Sequence, residues 1–302
     1  MHKSVVQKVG GEKNRKVYND VCSVSVLYST PNHIWGVRRI GLNIVRLMGI
    51  SPMPNKVNLQ ELSQYVRYVE VHFRKGRVLF RGQRQDKPLI PKIGRIHLTL
   101  PFVEAERKMF LEFQRQSILS LDYEPSTDWD WIAIMQHHGM PTRLLYWTLN
   151  PLAALWFAVS KPAEKTESAV VWAFVPKEKD FVVPTKDASP FETSRTLVFQ
   201  PRHVTRRIVA QCGCFTVHQF MASKGFIPLE RNKTYKRFLT KFVIRSNLFA
   251  DLRYQLDRFG INDASLFPDL DGLSRHVRWL YSLDSDEKAP KGSRYAWIDL
   301  KN

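Results

Sequence analysis

Residues 128–160 read DWDWIAIMQHHGMPTRLLYWTLNPLAALWFAVS, and three successive segments within them decide the fold class. Thr127 or Asp128 caps a helix whose apolar residues Trp131, Ile132, Ile134 and Met135 fill one side. Gly139 and then Pro141 stop it. Its last turn carries Gln136, His137 and His138. Residues 142–148 are short, partly β-branched and aromatic, and trapped between breakers, so they predict a strand. A period of two places Thr142, Leu144, Tyr146 and Thr148 on one face and Arg143, Leu145 and Trp147 on the other. Asn150 caps a second helix with Pro151 at its first position, where a missing N–H costs nothing. That helix, LAALWFAV, is apolar all round and requires burial on most sides. A polar Gln-His-His cluster beside a buried strand and a buried helix points to a pocket.

Working outward, residues 78–83 (VLFRGQ) predict a strand, and Arg81 sits where it meets a loop, a position from which side chains reach ligands. Asn58 is a cap for a helix to about residue 73 with Leu59, Leu62, Val66, Val69 and Val71 inward. A further helix spans 104–119 with Phe110, Phe113 and Ile118 in the core. Residues 1–57 form a basic N-terminal extension: a polar leader, a strand candidate at 21–27 and a basic amphipathic helix at 33–48.

Downstream, 168–175 predicts a buried strand, and 176–207 an irregular segment. Residues 207–220 predict a strand with Gln211, Gly213 and Phe215 on one face and Cys212, Cys214 and Thr216 on the other. Gly213 marks a bulge or a close approach by ligand or backbone. A strand at 240–244, a helix capped by Asn247 and an amphipathic helix at 269–283 complete the domain, and 283–302 is a polar tail. The expected architecture is α+β: one mixed domain, a curved sheet flanked by helices.

The 302 residues, 44% apolar and 12% aromatic, suffice for a substantial core. Lysine and arginine outnumber aspartate and glutamate 46 to 28, a net charge of +18, which favours polyanionic partners. Three cysteines, Cys22, Cys212 and Cys214, make no disulfide framework, and no apolar run approaches a membrane span or a signal peptide, so the expectation is a cytoplasmic protein without a membrane partner. Cys212, Cys214 and His218 fit no zinc spacing, so no metal is expected. Walker, Gly-x-Gly-x-x-Gly, Gly-x-Ser-x-Gly and His-Glu-x-x-His motifs are all missing from the sequence, which counts against those enzyme classes.

Six ordered motifs resemble the FRG domain family, named for Phe-Arg-Gly: FRGQ at 80–83, PKIGR at 91–95, QHHGMPTRLLYWT at 136–148, NPLAALWFAV at 150–159, QCGCFTVH at 211–218 and LFPDLDGL at 266–273. The resemblance runs over about 58–282. It implies a domain found mainly in bacteria and phages, with a toxin or phage-defence component as the expected role. Tyr146 departs from the family pattern, which places an aspartate there. The order of parts is also similar to that of ADP-ribosyltransferases, which implies NAD as cofactor and a macromolecular acceptor. The late-strand glutamate of that pattern is missing from Gln211-Cys212-Gly213.

On that resemblance Arg81 pairs with a pyrophosphate, a task suited to a guanidinium fork. Tyr146 or Trp147 stacks on nicotinamide, Gln211 steadies the ribose, and Gln136 and Thr142 line the cofactor site. His137 is the acid or base candidate, with a helix C-terminus favouring its protonated form. Catalysis then needs another acid such as Glu192, or the domain binds without turnover. Arg81 as a buried structural arginine remains the plain alternative. The rival reading is a nucleic-acid-binding module: Arg206, Arg207, Lys233, Lys236, Arg237 and Lys241, interleaved with Tyr235 and Phe238, make a backbone-binding patch or a set of solvated loop charges.

Overall fold

The computed structural model describes residues 55–74, 76–121, 125–162, 168–183, 186–187, 189–202 and 206–288. The leader, the strand at 21–27, the helix at 33–48 and the tail beyond 288 lie outside the described residues.

Seven strands make one mixed sheet: β1 (Lys56–Leu59), β2 (Leu79–Gln83), β3 (Leu144–Thr148), β4 (Ser168–Phe174), β5 (Leu197–Phe199), β6 (Gly213–Val217) and β9 (Leu239–Arg245). Their order is β1-β9-β4-β2-β3-β6-β5, with β1 parallel to β9 and every other pair antiparallel. β7 (Phe220–Met221) and β8 (Gly225–Phe226) form a separate ribbon. The helices are α1 (Leu62–His72), α2 (Phe102–Ser117), α3 (Asp128–His137), α4 (Pro151–Val159), α5 (Arg206–Ala210), α6 (Phe249–Arg258), α7 (Asp263–Leu266) and α8 (Leu270–Tyr281). The α+β expectation holds.

Pleating sorts the core. In β4, Ala169, Val171 and Ala173 face one side and Val170, Trp172 and Phe174 the other; all are buried, as an inner strand covered on both faces requires. The first face carries two clusters: one around Phe80, Val171 and Phe242 under α1, α4 and α6, the other around Leu144, Phe215 and Val217 under α2 and α3. The second face carries Leu79, Trp147 and Trp172, covered by Leu89, Leu229 and Tyr235.

α4 is the hinge of this packing. Asn150 Oδ1 accepts from the Leu152 and Ala153 amides at 2.9 and 3.2 Å, fixing its start. Nine residues of helix are marginal alone, but Leu155, Trp156 and Val159 are buried. Each such side chain contributes about 1.5–3 kcal/mol. The small Ala154 and Ala158 let the helix lie directly on β2, where a Cβ added to Gly82 would stand 1.9 Å from the Ala154 carbonyl oxygen.

Several local expectations give way. Residues 56–59 form a strand, so α1 starts at Leu62 without a side-chain cap. Its inward stripe is Leu62, Tyr65 and Val69, while Val66 and Val71 are exposed. Tyr65 takes the inner position because its hydroxyl donates to the Pro151 carbonyl at 2.9 Å. Ile118 is exposed past the end of α2. The segment read as irregular contains β5. α6 follows a 3-10 turn at Ser246–Leu248 and takes no cap from Asn247. The strand expected at 207–220 is half helix: α5 runs to Ala210, Cys212 reverses the chain with φ 46°, and β6 begins at Gly213.

Candidate functional site

On the first face, where the two clusters meet, a cavity of about 350 Å³ is walled by Tyr146 and Phe215 from one and Phe80, Phe157 and Phe267 from the other. The polar groups come from chain ends. α3 stops at His137 because His138 leaves the helical region and Gly139 follows with φ 86°, so Gln136 and His137 reach the wall. The reversal at Cys212 delivers Gln211 from the end of α5, with its carbonyl held by the Thr148 hydroxyl.

Tyr146 Oη donates to Gln211 Oε1 at 2.6 Å, and Gln211 Nε2 donates to the Leu266 carbonyl at 2.9 Å. Burial, with Cys214 and Cys212 adding to it, pushes the phenol up, so it is protonated at neutral pH and serves as a donor. What comes close to Gly213 is neither a ligand nor another backbone but this phenol: a Cβ there would lie 2.6 Å from Tyr146 Oη. Thr142 Oγ1 donates to Gln136 Oε1 at 2.5 Å and sets that amide. Burial, then His138 and Arg207, lowers His137 below the usual imidazole value, which reverses the direction expected from the helix dipole. Arg207 donates through Nε to Asp269 Oδ2 at 2.8 Å and lies over Phe267 at 5.4 Å. Among the described residues lining the cavity there is no carboxylate.

Arg81 is placed differently from Tyr146. It lines the cavity as a residue of β2, but its cross-strand partner is Trp172, so its side chain leaves the sheet on the second face. β2 and β3 pair only at Phe80 and Thr148. Beyond that point Arg81 Nη1 donates to the Tyr146 carbonyl at 2.8 Å, spanning the gap. Burial, then Arg95, lowers it to about 10. His218, which feels the Arg81 charge and bonds Thr216 Oγ1 at 2.9 Å, belongs to the same second face. The phenol and the amide thus share the hollow. The guanidinium braces its wall from behind, with Nε unpartnered.

Other expected site residues fall elsewhere. Trp147 is fully buried on the second face, donating to Thr216 Oγ1 at 2.9 Å, and cannot stack on a ligand in this cavity. Thr142 is buried behind Gln136 rather than in the wall. Glu192 is exposed and outside the lining. Arg143 forms a buried pair with Glu106 and is structural. In the basic patch Arg206, Lys233, Lys236 and Arg237 are exposed. Lys241 pairs with Asp86 over the Trp172 ring, Arg207 belongs to the cavity, and Tyr235 is buried with its hydroxyl on the Thr196 carbonyl, which removes it as a stacking platform. Phe157, Arg207 and Phe267 are wall residues that sequence reasoning did not place there. The LFPDL run containing Phe267 was the available signal.

Residues 76–167 match the family model described as the FRG domain. The chain carries an FRG domain. The match takes in β2 through α4, whereas Gln211 and Phe267 come from beyond it. No curated protein and no solved structure matches the chain. Each letter of the FRG motif has its own mechanical part here: Phe80 fills the core of the first face, Arg81 braces β2 against β3, and Gly82 admits α4. Among the described residues no helix is long and apolar enough to cross a membrane, and no group of three His, Cys, Asp or Glu side chains is placed to hold a metal.

Proposed function

We propose that this FRG domain binds a nucleotide, with NAD the first candidate, in the Tyr146–Gln211 cavity, and that it acts there by binding rather than by carboxylate-assisted ribosyl transfer. The observation that carries this reading is the lining itself: Arg207, His137 and Gln211 set among aromatic rings, with no carboxylate among the described wall residues. Such a wall favours a flat ring carried on a phosphate. A volume of about 350 Å³ lies at the small end of ligand sites. Gln211 keeps one N–H and one lone pair free after its two bonds, enough for one edge of a carboxamide or base. Arg207 keeps Nη1 for a phosphate oxygen after Asp269 has taken Nε and Nη2. Ribosyl transfer needs an acid to steady the oxocarbenium-like state, and Glu192 stands away from the wall. A toxin or phage-defence role would therefore work through ligand sensing, in the reducing cytoplasm that the free Cys212 and Cys214 suit.

The test is calorimetric titration of the full chain with NAD, ADP-ribose and AMP, beside Arg207→Gln and Gln211→Ala, with mass-spectrometric tracking of NAD. Saturable binding weakened at least tenfold by either variant, with NAD left intact, is the expected result. No saturation at millimolar nucleotide overturns the reading, and NAD consumption overturns its binding-only part. Nucleic acid is the second reading, favoured by the exposed Arg206, Lys233, Lys236 and Arg237. It predicts affinity that falls steeply with salt and ignores Gln211→Ala.

A further inference from the structure

Beside the first cavity lies a larger one, of about 790 Å³, between α4 and the α7–α8 pair. The two share three walls, Phe157, Arg207 and Phe267. Phe267 carries the Arg207 guanidinium at 5.4 Å and that of Arg275 at 4.9 Å, so the shared wall presents two cations over one ring. Both are held from behind: Arg207 by Asp269, and Arg275 by Asp263 at 2.9 Å. That fixes their forks without filling every donor.

The larger cavity differs in chemistry from the first. Its walls include the Trp156 and Trp279 rings and the side chains of Asn262, Asp271 and Asp284. Asp271 stands exposed on the first turn of α8. Ring faces combined with acceptor oxygens suit the hydroxyl and amino donors of a nucleoside, and Lys161, Arg253 and Arg278 stand in the same lining. The smaller cavity, by size, holds about one nucleoside.

We propose that the two cavities form one binding tract, whose ligand is a two-headed nucleotide. One nucleoside lies under Tyr146 and Gln211, the linking phosphates cross the Arg207–Phe267 wall, and the second nucleoside lies between Trp156 and Trp279. This rests on the nucleotide reading above and assigns the larger cavity a part in it.

The experiment titrates the full chain with NAD and separately with its halves, AMP and nicotinamide mononucleotide, in wild type, Gln211→Ala and Trp279→Ala. Because Trp279 also bonds Glu287 at 2.9 Å, Asp271→Asn is the second larger-cavity variant, exposed enough to leave folding intact. NAD is expected to bind at least tenfold tighter than its better half. Variants in either cavity should remove that gain, while each half responds to the variants of one cavity only. NAD binding that is lost with Gln211→Ala but indifferent to both Trp279→Ala and Asp271→Asn sinks the tract and leaves the nucleotide reading standing. Binding indifferent to Gln211→Ala, or no binding at all, sinks both.

Discussion

Gly82→Ala tests the packing that positions the whole site. The added methyl would stand 1.9 Å from the Ala154 carbonyl oxygen and 2.7 Å from the Ala158 amide nitrogen, where ordinary contact begins near 3.4 Å. Both obstacles are helix backbone, so no rotamer change relieves them, and α4 must retreat from β2 by roughly 1.5 Å. Ala153, Ala154 and Ala158 are fully buried along that contact. Overpacking of this kind costs about 1–3 kcal/mol, and the backbone nature of the clash argues for the upper end. Replacing glycine in a strand returns roughly 0.5–1 kcal/mol of backbone entropy, which leaves a net loss of about 1–2.5 kcal/mol. Urea unfolding followed by far-UV circular dichroism and tryptophan fluorescence should show a lower midpoint with an unchanged slope. Phe157 moves with the helix, so ligand affinity in the cavity falls as well. A variant within about 0.5 kcal/mol of wild type would refute the claim that Gly82 exists to admit α4.

Three further outcomes follow from the same geometry. Gly213→Ala brings a methyl against the Tyr146 hydroxyl, so in a double-mutant cycle Tyr146→Phe should recover about 0.5–3 kcal/mol of its cost, and strict additivity counts against the contact. Arg143→Met strands the Glu106 carboxylate, since the two side chains are only 4% and 7% exposed. The expected loss is about 3–5 kcal/mol in denaturant titration, largely restored by adding Glu106→Leu, and a loss that the second change leaves untouched points to packing instead. Burial, then Arg81, holds His218 at about 3, below its unfolded value near 6.5. The stabilisation from keeping it neutral is therefore complete above about pH 6.5 and drains away as pH falls towards 3, by up to about 1.4 kcal/mol per pH unit. His218→Gln should flatten acid unfolding over that window, and parallel wild-type and variant curves would show that another group controls it.

The part of the fold that was legible is the part written in short-range chemistry. Asn150-Pro151 and the apolar run after it announce α4, Thr127 and Gly139 bound α3, and the alternation of β3 separates Tyr146 from Trp147. Less visible was anything set by a single backbone reversal. Cys212 takes a positive φ without being glycine, and that one residue turns an apparent strand into a helix, a turn and a shorter strand, moving Gln211 from a sheet face to a cavity rim. Arg81 does line the cavity with Tyr146 and Gln211, but its residue number gives only its strand, and the pairing with Trp172 is what gives its face. Of the two rings expected to stack, Trp147 is ruled out by the alternation that places it opposite Tyr146. Arg207 looked like one more surface charge until Asp269 and Phe267, sixty residues away in sequence, closed around it.

The Tyr146–Gln211 pair also limits what chemistry the cavity supports. A buried phenol donating to an amide oxygen makes that oxygen an acceptor, and the same amide must donate to the Leu266 carbonyl. The orientation of Gln211 is thereby fixed from both ends, and every group in the chain of bonds is neutral. An aspartate at 146 would bring acceptors only. Its carboxylate would also end about a ring's length short of Gln211, leaving Oε1 without the donor that the phenol supplies. Tyr146, Gln211 and the cleared space at Gly213 therefore belong together, a matched set in which the phenol supplies the proton that a carboxylate lacks. Such a set discriminates ligands by shape and hydrogen-bond edge. It has no charge to offer a developing cation, and that is the feature on which the binding-only proposal rests.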